Sequence, residues 1–171
     1  MSKIKILFLV NVDWFFISHR LPIALAAAKK GYEIHVATTV TDKANIIHNS
    51  GFILHDIPIS RGTIGPFSTF KSLLAIIKMF NKVRPNIVHL VTIKPILLGG
   101  IAARITNIPG VIAAISGLGY IFIDQGFIAS LRRFFVRALY KISLGHKNLR
   151  IICQNLNDQD EIQQVTKLSN D

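Results

Sequence analysis

His19 and Asp13 stand six residues apart in Asp13-Trp14-Phe15-Phe16-Ile17-Ser18-His19-Arg20. A carboxylate can orient a histidine that moves a proton, which makes the two a candidate base and its orienting acid. A helix cap at Ser18-His19 accounts for the same residues. In Ser116-Gly117-Leu118-Gly119-Tyr120 two glycines let successive N–H groups converge on an anion. A tight turn without a ligand would use them equally well. Lys94 precedes Pro95 at an expected helix start, where a cation opposes the helix dipole unless an anion meets both. A solvated surface lysine is the plainer alternative. His89 falls inside a strand, where a hydrogen-bonded core or rim histidine is the plain reading. The six histidines show no metal-ligand spacing, so no metal is expected.

These residues need a frame. Ile4 to Val12 is a continuous apolar run of the kind that forms a central parallel strand covered on both faces. Further strands are expected at Glu33–Thr38, Phe52–Ile57, Asn86–Val91, Val111–Ile115 and Arg150–Cys153. Helices are expected from a Ser18 cap to Gly31, over Asp42–Asn49, Phe70–Val83, Pro95–Thr106 and Phe127–Leu144, and from Asn157 onward. Six short strands alternating with helices predict an α/β fold, a doubly wound six-stranded parallel sheet of the Rossmann-like kind. In such a sheet ligands gather at the carboxyl ends of the strands. That edge would hold Asn11 to Arg20, Arg61, His89 to Lys94 and Ser116 to Tyr120. No GxGxxG follows the first strand and no GxxxxGK[ST] occurs, which argues against dinucleotide and P-loop nucleotide chemistry.

Half of the residues are hydrophobic and 17% are charged, a composition incompatible with disorder. The formal charge of +11 is unevenly spread: between Ile57 and Asn157 there are thirteen Lys and Arg but one acid, Asp124. Such a surface attracts phosphate or anionic lipid. Nucleic acid is not expected, because the aromatic residues lack the pattern of an RNA-reading sheet. On the expected helix 127–144, Arg133, Arg137 and Lys141 recur at four-residue steps, widened by Arg132, beside a stripe of Leu131, Phe135, Ala138 and Ile142. This basic amphipathic pattern fits an anionic membrane surface. A solvated face over a packed one fits it too. Cys153, the only cysteine, reads as a buried thiol, and no run of eighteen apolar residues predicts a span.

The loops also resemble a known family. Asp13-Trp14-Phe15-Phe16-Ile17-Ser18-His19-Arg20-Leu21-Pro22, the run Gly31 to Thr38, Pro85-Asn86-Ile87-Val88-His89, Thr92-Ile93-Lys94-Pro95 with Gly99-Gly100, Ser116 to Tyr120 and Gln154-Asn155 occur in order. Together they resemble the amino-terminal domain of family 4 glycosyltransferases, two-domain enzymes of the GT-B fold, and most of all the bacterial surface polysaccharide branch. The resemblance implies an acceptor-side domain of a retaining enzyme that moves a sugar from a nucleotide-sugar donor to a polyprenyl diphosphate saccharide. It implies peripheral association with the inner face of the cytoplasmic membrane. It implies no cofactor or metal, with the donor bound by a separate domain in cis or in trans, so this half alone is not expected to complete the reaction. The Asp13–Arg20 loop with Ser116, Gly117 and Gly119 would line the acceptor side, Arg61 and Lys94 would meet the diphosphate, and Arg132, Arg133, Arg137 and Lys141 would face the membrane. Relatives commonly carry histidines where Val91 and Ser116 stand here. A non-catalytic membrane-docking subunit for a separate donor-binding chain is the alternative.

Overall fold

The computed structural model describes residues 3–59, 65–115 and 138–166. Along the chain lie β1 (Lys5–Val12), α1 (Asp13–His19), α2 (Leu21–Lys29), β2 (Glu33–Thr39), α3 (Ala44–Asn49), β3 (Ile53–Asp56), α4 (Pro66–Val83), β4 (Ile87–Val91), α5 (Ile93–Ile105), β5 (Gly110–Ile115), β6 (Leu149–Cys153) and α6 (Leu156–Thr166). A further helical segment spans 138–143.

The strands form one sheet in the order β3-β2-β1-β4-β5-β6, and every pairing is parallel. This is the doubly wound, Rossmann-like sheet expected from the sequence. Its order reverses between β1 and β4, the neighbours that leave a crevice at their carboxyl ends.

The period of two along β1 divides the core into two layers. Leu7 and Leu9 join Ile76 and Phe80 of α4 and Ile96 and Ala103 of α5 on one face. Phe8 and Val10 join Phe16 of α1, Ala24 of α2 and Ile47 of α3 on the other. Both faces of β1 are therefore covered, which is why its sequence is apolar without alternation.

Gly99 and Gly100 let α5 approach two neighbours at once. A Cβ on Gly99 would lie 2.6 Å from a Leu90 methyl and 2.7 Å from one of Leu9. One on Gly100 would collide with the backbone carbonyl of Ser143. Ser143 Oγ donates to Leu97 O across the same contact at 2.8 Å.

Two helix starts differ from expectation by more than two residues. The helix expected from Ser18 is two helices broken at Arg20, and Pro22 occupies the second position of α2. Proline has no N–H to give and is tolerated only where that group is unused, so the chain breaks to put it in a first turn. Ser18 lies inside α1 rather than capping a helix, and its hydroxyl donates back to Trp14 O at 2.9 Å. α4 begins at Pro66, a turn earlier than Phe70, for the same reason of proline at a helix start. The expected helix 127–144 lies outside the described residues up to 137.

Candidate functional site

Val10 pairs with Val91, which puts Asn11 and Thr92 side by side at the carboxyl ends of β1 and β4. Both are buried, and neither Asn11 Oδ1 nor Thr92 Oγ1 has a hydrogen-bond partner. Buried polar groups are normally satisfied, since an unmet one costs about 1–3 kcal/mol. Thr92 also holds φ 75°, ψ 163°, a region that a β-branched residue adopts only when the surroundings enforce it. It directly precedes α5, so the strained turn sets the amino end of a thirteen-residue helix at the carboxyl edge of the sheet, where Ile96 N donates to Thr92 O at 3.0 Å.

On the α1/α2 side of β4, His89 is buried and stacked on Phe8, ring centroids 5.0 Å apart. Burial, and then the nearby Arg20 guanidinium, push its pKa down to about 4. The ring is neutral at physiological pH, and its Nε2 has no partner. Arg20 sits at the break between α1 and α2, donates to His19 O at 3.0 Å and leaves a buried Nε unmatched. Burial lowers the pKa of Arg20 and of Lys94, the second residue of α5. Both cations have lost water, which sharpens their preference for an anion. Among the described residues five buried side-chain atoms are unsatisfied, and four belong to Asn11, Arg20, His89 and Thr92. Such a crevice can take a ligand that offers both hydroxyl groups and negative charge.

Asp13 and His19 are not brought together. Asp13 is fully buried, and its carboxylate accepts from Trp14 N (2.8 Å), Thr41 N (2.7 Å), Thr41 Oγ1 (2.6 Å) and Lys43 N (3.2 Å). Burial alone would raise its pKa. These donors outweigh that and hold it below the usual carboxylate range. Asp13 thus ties the β1–α1 corner to the loop after β2, and no carboxylate oxygen is left for His19. His19 is exposed and stacks on Phe15 at 4.1 Å. Its Nδ1 lies 2.6 Å from Ser18 Oγ. The same Nδ1 is 3.3 Å from Phe15 O, so this ring nitrogen is engaged within α1.

Arg20 and Lys94 thus both follow strands at the carboxyl edge of the sheet, at the start of α2 and of α5, while Lys141 is exposed on the segment 138–143. Arg61, Ser116, Gly117, Gly119, Arg132, Arg133 and Arg137 lie outside the described residues. Sequence reasoning covered Asn11 and Thr92 only as parts of the strand-end windows. It missed a second titratable group altogether: Glu33 Oε1 accepts from His35 Nε2 at 2.8 Å, and His35 Nδ1 meets His55 Nε2 at 2.9 Å. Glu33 and His35 share a strand face at a spacing of two, but His55 joins them only through the β2–β3 register. The two rings are nearly coplanar with centroids 5.2 Å apart, an in-line hydrogen bond with room for a proton and none for a metal ion.

A shallow depression of about 390 Å³, lined by Phe80, Arg84, Asn86 and Asn107 among others, opens at the amino edge of the sheet, away from this crevice.

The chain has clear relatives. A Campylobacter jejuni N,N'-diacetylbacillosaminyl-diphospho-undecaprenol alpha-1,3-N-acetylgalactosaminyltransferase is 29% identical over 124 residues, 72% of this chain and 33% of that protein. The capsular polysaccharide biosynthesis glycosyltransferase CapM of Staphylococcus aureus is 32% identical over 140 residues, 78% of this chain and 36% of that protein. The chain therefore spans about a third of the length of these relatives. A Rickettsia africae glycosyltransferase structure superposes with a TM-score of 0.68 at 14% identity, covering 99% of this chain and 41% of that one; at this identity the likeness concerns the fold. The glycosyl transferase 4-like family model matches residues 5–155, nearly the whole chain, and the protein belongs to that family.

Proposed function

We propose that this chain is the acceptor-side domain of a two-domain GT-B glycosyltransferase that extends a polyprenyl diphosphate-linked saccharide, in the synthesis of a surface polysaccharide. The observation that carries the reading is the set of four unsatisfied buried groups at the β1–β4 switch point. A saccharide supplies hydroxyl groups for Asn11, Thr92 and His89, and a diphosphate supplies charge for Arg20, Lys94 and the α5 amino terminus. The Campylobacter relative, whose name specifies a diphospho-undecaprenol substrate, supports the same ligand class.

In this reading the donor nucleotide sugar binds a second domain, transfer proceeds with retention, and Arg61, Ser116, Gly117 and Gly119 complete the acceptor side. Exposed His19 is the proton acceptor in this reading, without help from Asp13. The protein works at the inner face of the cytoplasmic membrane as a peripheral component. No helix among the described residues is long and apolar enough to cross a bilayer.

Binding of a polyprenyl diphosphate sugar, measured by titration calorimetry in detergent, tests the site. Lys94→Ala and Arg20→Ala should each weaken it about tenfold, the range expected for one charge-assisted contact. Unchanged affinity in both variants would remove the phosphate from this crevice.

A further inference from the structure

α4 has two opposed faces. Ile76, Met79, Phe80 and Val83 are buried in the core layer shared with α5. On the other side Phe67 is 83% exposed and Phe70 58%, followed by exposed Leu74. Lys71, Lys78 and Lys82 are exposed as well, and α4 contains no acidic residue. At 3.6 residues per turn these six residues fall within an outward arc of about 120°. A solvated helix normally turns polar side chains outward and does not place two phenylalanines there.

The stripe is also graded along the axis. α4 leaves β3 and returns to β4, so its amino end lies at the carboxyl edge of the sheet, the edge that holds the candidate site. The apolar part, Phe67 to Leu74, covers about 10 Å at that end, and Lys78 and Lys82 continue about 12 Å away from it.

We infer that this face of α4 docks on an anionic lipid bilayer. Phe67, Phe70 and Leu74 enter the boundary between headgroups and acyl chains, and the three lysines lie over acidic headgroups. The interleaving of charge selects lipid over a protein partner. In a dry protein interface three lysines without matching acids would be stranded, whereas a bilayer supplies phosphate at any register and lets their stems lie along apolar surface. The proposal uses none of Arg132, Arg133, Arg137 and Lys141. It rests on the proposed function only in that a lipid-linked acceptor brings the protein to a membrane.

The test uses vesicles without polyprenyl lipid, so that failure of the acceptor site cannot affect it. The 171-residue chain should co-sediment with phosphatidylcholine–phosphatidylglycerol vesicles and at least about tenfold less with phosphatidylcholine alone. The double variant Phe67→Ser/Phe70→Ser should lose about tenfold in binding, and Lys71→Glu/Lys78→Glu/Lys82→Glu should lose more. A nitrobenzoxadiazole probe on Phe70→Cys, in a Cys153→Ser background, should shift to the blue on adding the mixed vesicles. Wild-type binding by both α4 variants, or a probe that stays in water, overturns the proposal. So does a Phe67→Ser/Phe70→Ser variant that only breaks a lipid-free dimer in gel filtration, which would assign the face to a second copy of the chain. Loss of acceptor binding in Lys94→Ala with vesicle binding intact would bear on the acceptor reading alone.

Discussion

Four donors converge on the Asp13 carboxylate, three of them backbone N–H groups and two of those belonging to Thr41 and Lys43. Replacing buried Asp13 by Ala removes the acceptor these four donors share and should cost about 3 kcal/mol, read as a lowered urea midpoint. Because its folded pKa is depressed, its stabilising contribution is present above the unfolded value of about 3.9 and is lost as pH falls through the folded one. The gap between wild type and Asp13→Ala should therefore close below about pH 4. The sequence displays Asp13 and His19 as near neighbours, and that proximity is what misleads. The true partners lie 28 and 30 residues downstream and meet Asp13 only once β1 and β2 are paired. Thr92 was equally opaque at this scale, because no glycine marks its left-handed backbone.

Elements were far more legible than the roles of single side chains. Leu7 to Val10 announces a strand buried on both faces, and Gly51, at φ 77°, ends α3 where expected. Boundaries failed where proline set them, at Pro22 and Pro66, because a proline fits a first turn as well as it interrupts a helix, and its neighbours do not say which. Gly99-Gly100 was visible as a pair of letters, but its purpose requires the packed partner. Gly100→Ala should gain about 1 kcal/mol of helix propensity and lose about 1–3 kcal/mol of packing, since the obstacle is the Ser143 carbonyl and not a pliable side chain. We expect a net loss of stability by thermal denaturation, with protection from hydrogen exchange falling first at 138–143.

At the scale of the molecule, alternation of strands and helices forecast the doubly wound sheet, and the carboxyl-edge rule then located the crevice without any motif. Which atoms there stay unsatisfied was not legible, since it depends on packing from both layers. Stability of the whole chain should depend on pH through buried His89. Its folded pKa of about 4 lies below the unfolded value of about 6.5, so the unfolded chain binds the proton more readily. Stability should be level above about pH 6.5 and fall between there and pH 4 by about 3 kcal/mol from this residue. His55, its pKa lowered by burial and then by His35 and Lys82, adds in the same direction. A His89→Phe variant should flatten much of that slope in denaturation curves taken across the range. The strand order has one more effect, on the chain while it is being made. β1 emerges from the ribosome before the other five strands, yet it ends in the middle of the sheet. β2 can zip onto one edge as soon as residue 39 appears, but the other edge waits for β4, complete only at residue 91. At 5–20 residues per second that interval is about 3–10 seconds. Throughout it the β4-facing edge of β1, Ile6 to Val10, stays unpaired, first in a two-stranded ribbon and, once β3 is complete at residue 56, in a three-stranded one, so holding chaperones would have their main work here during synthesis rather than after release.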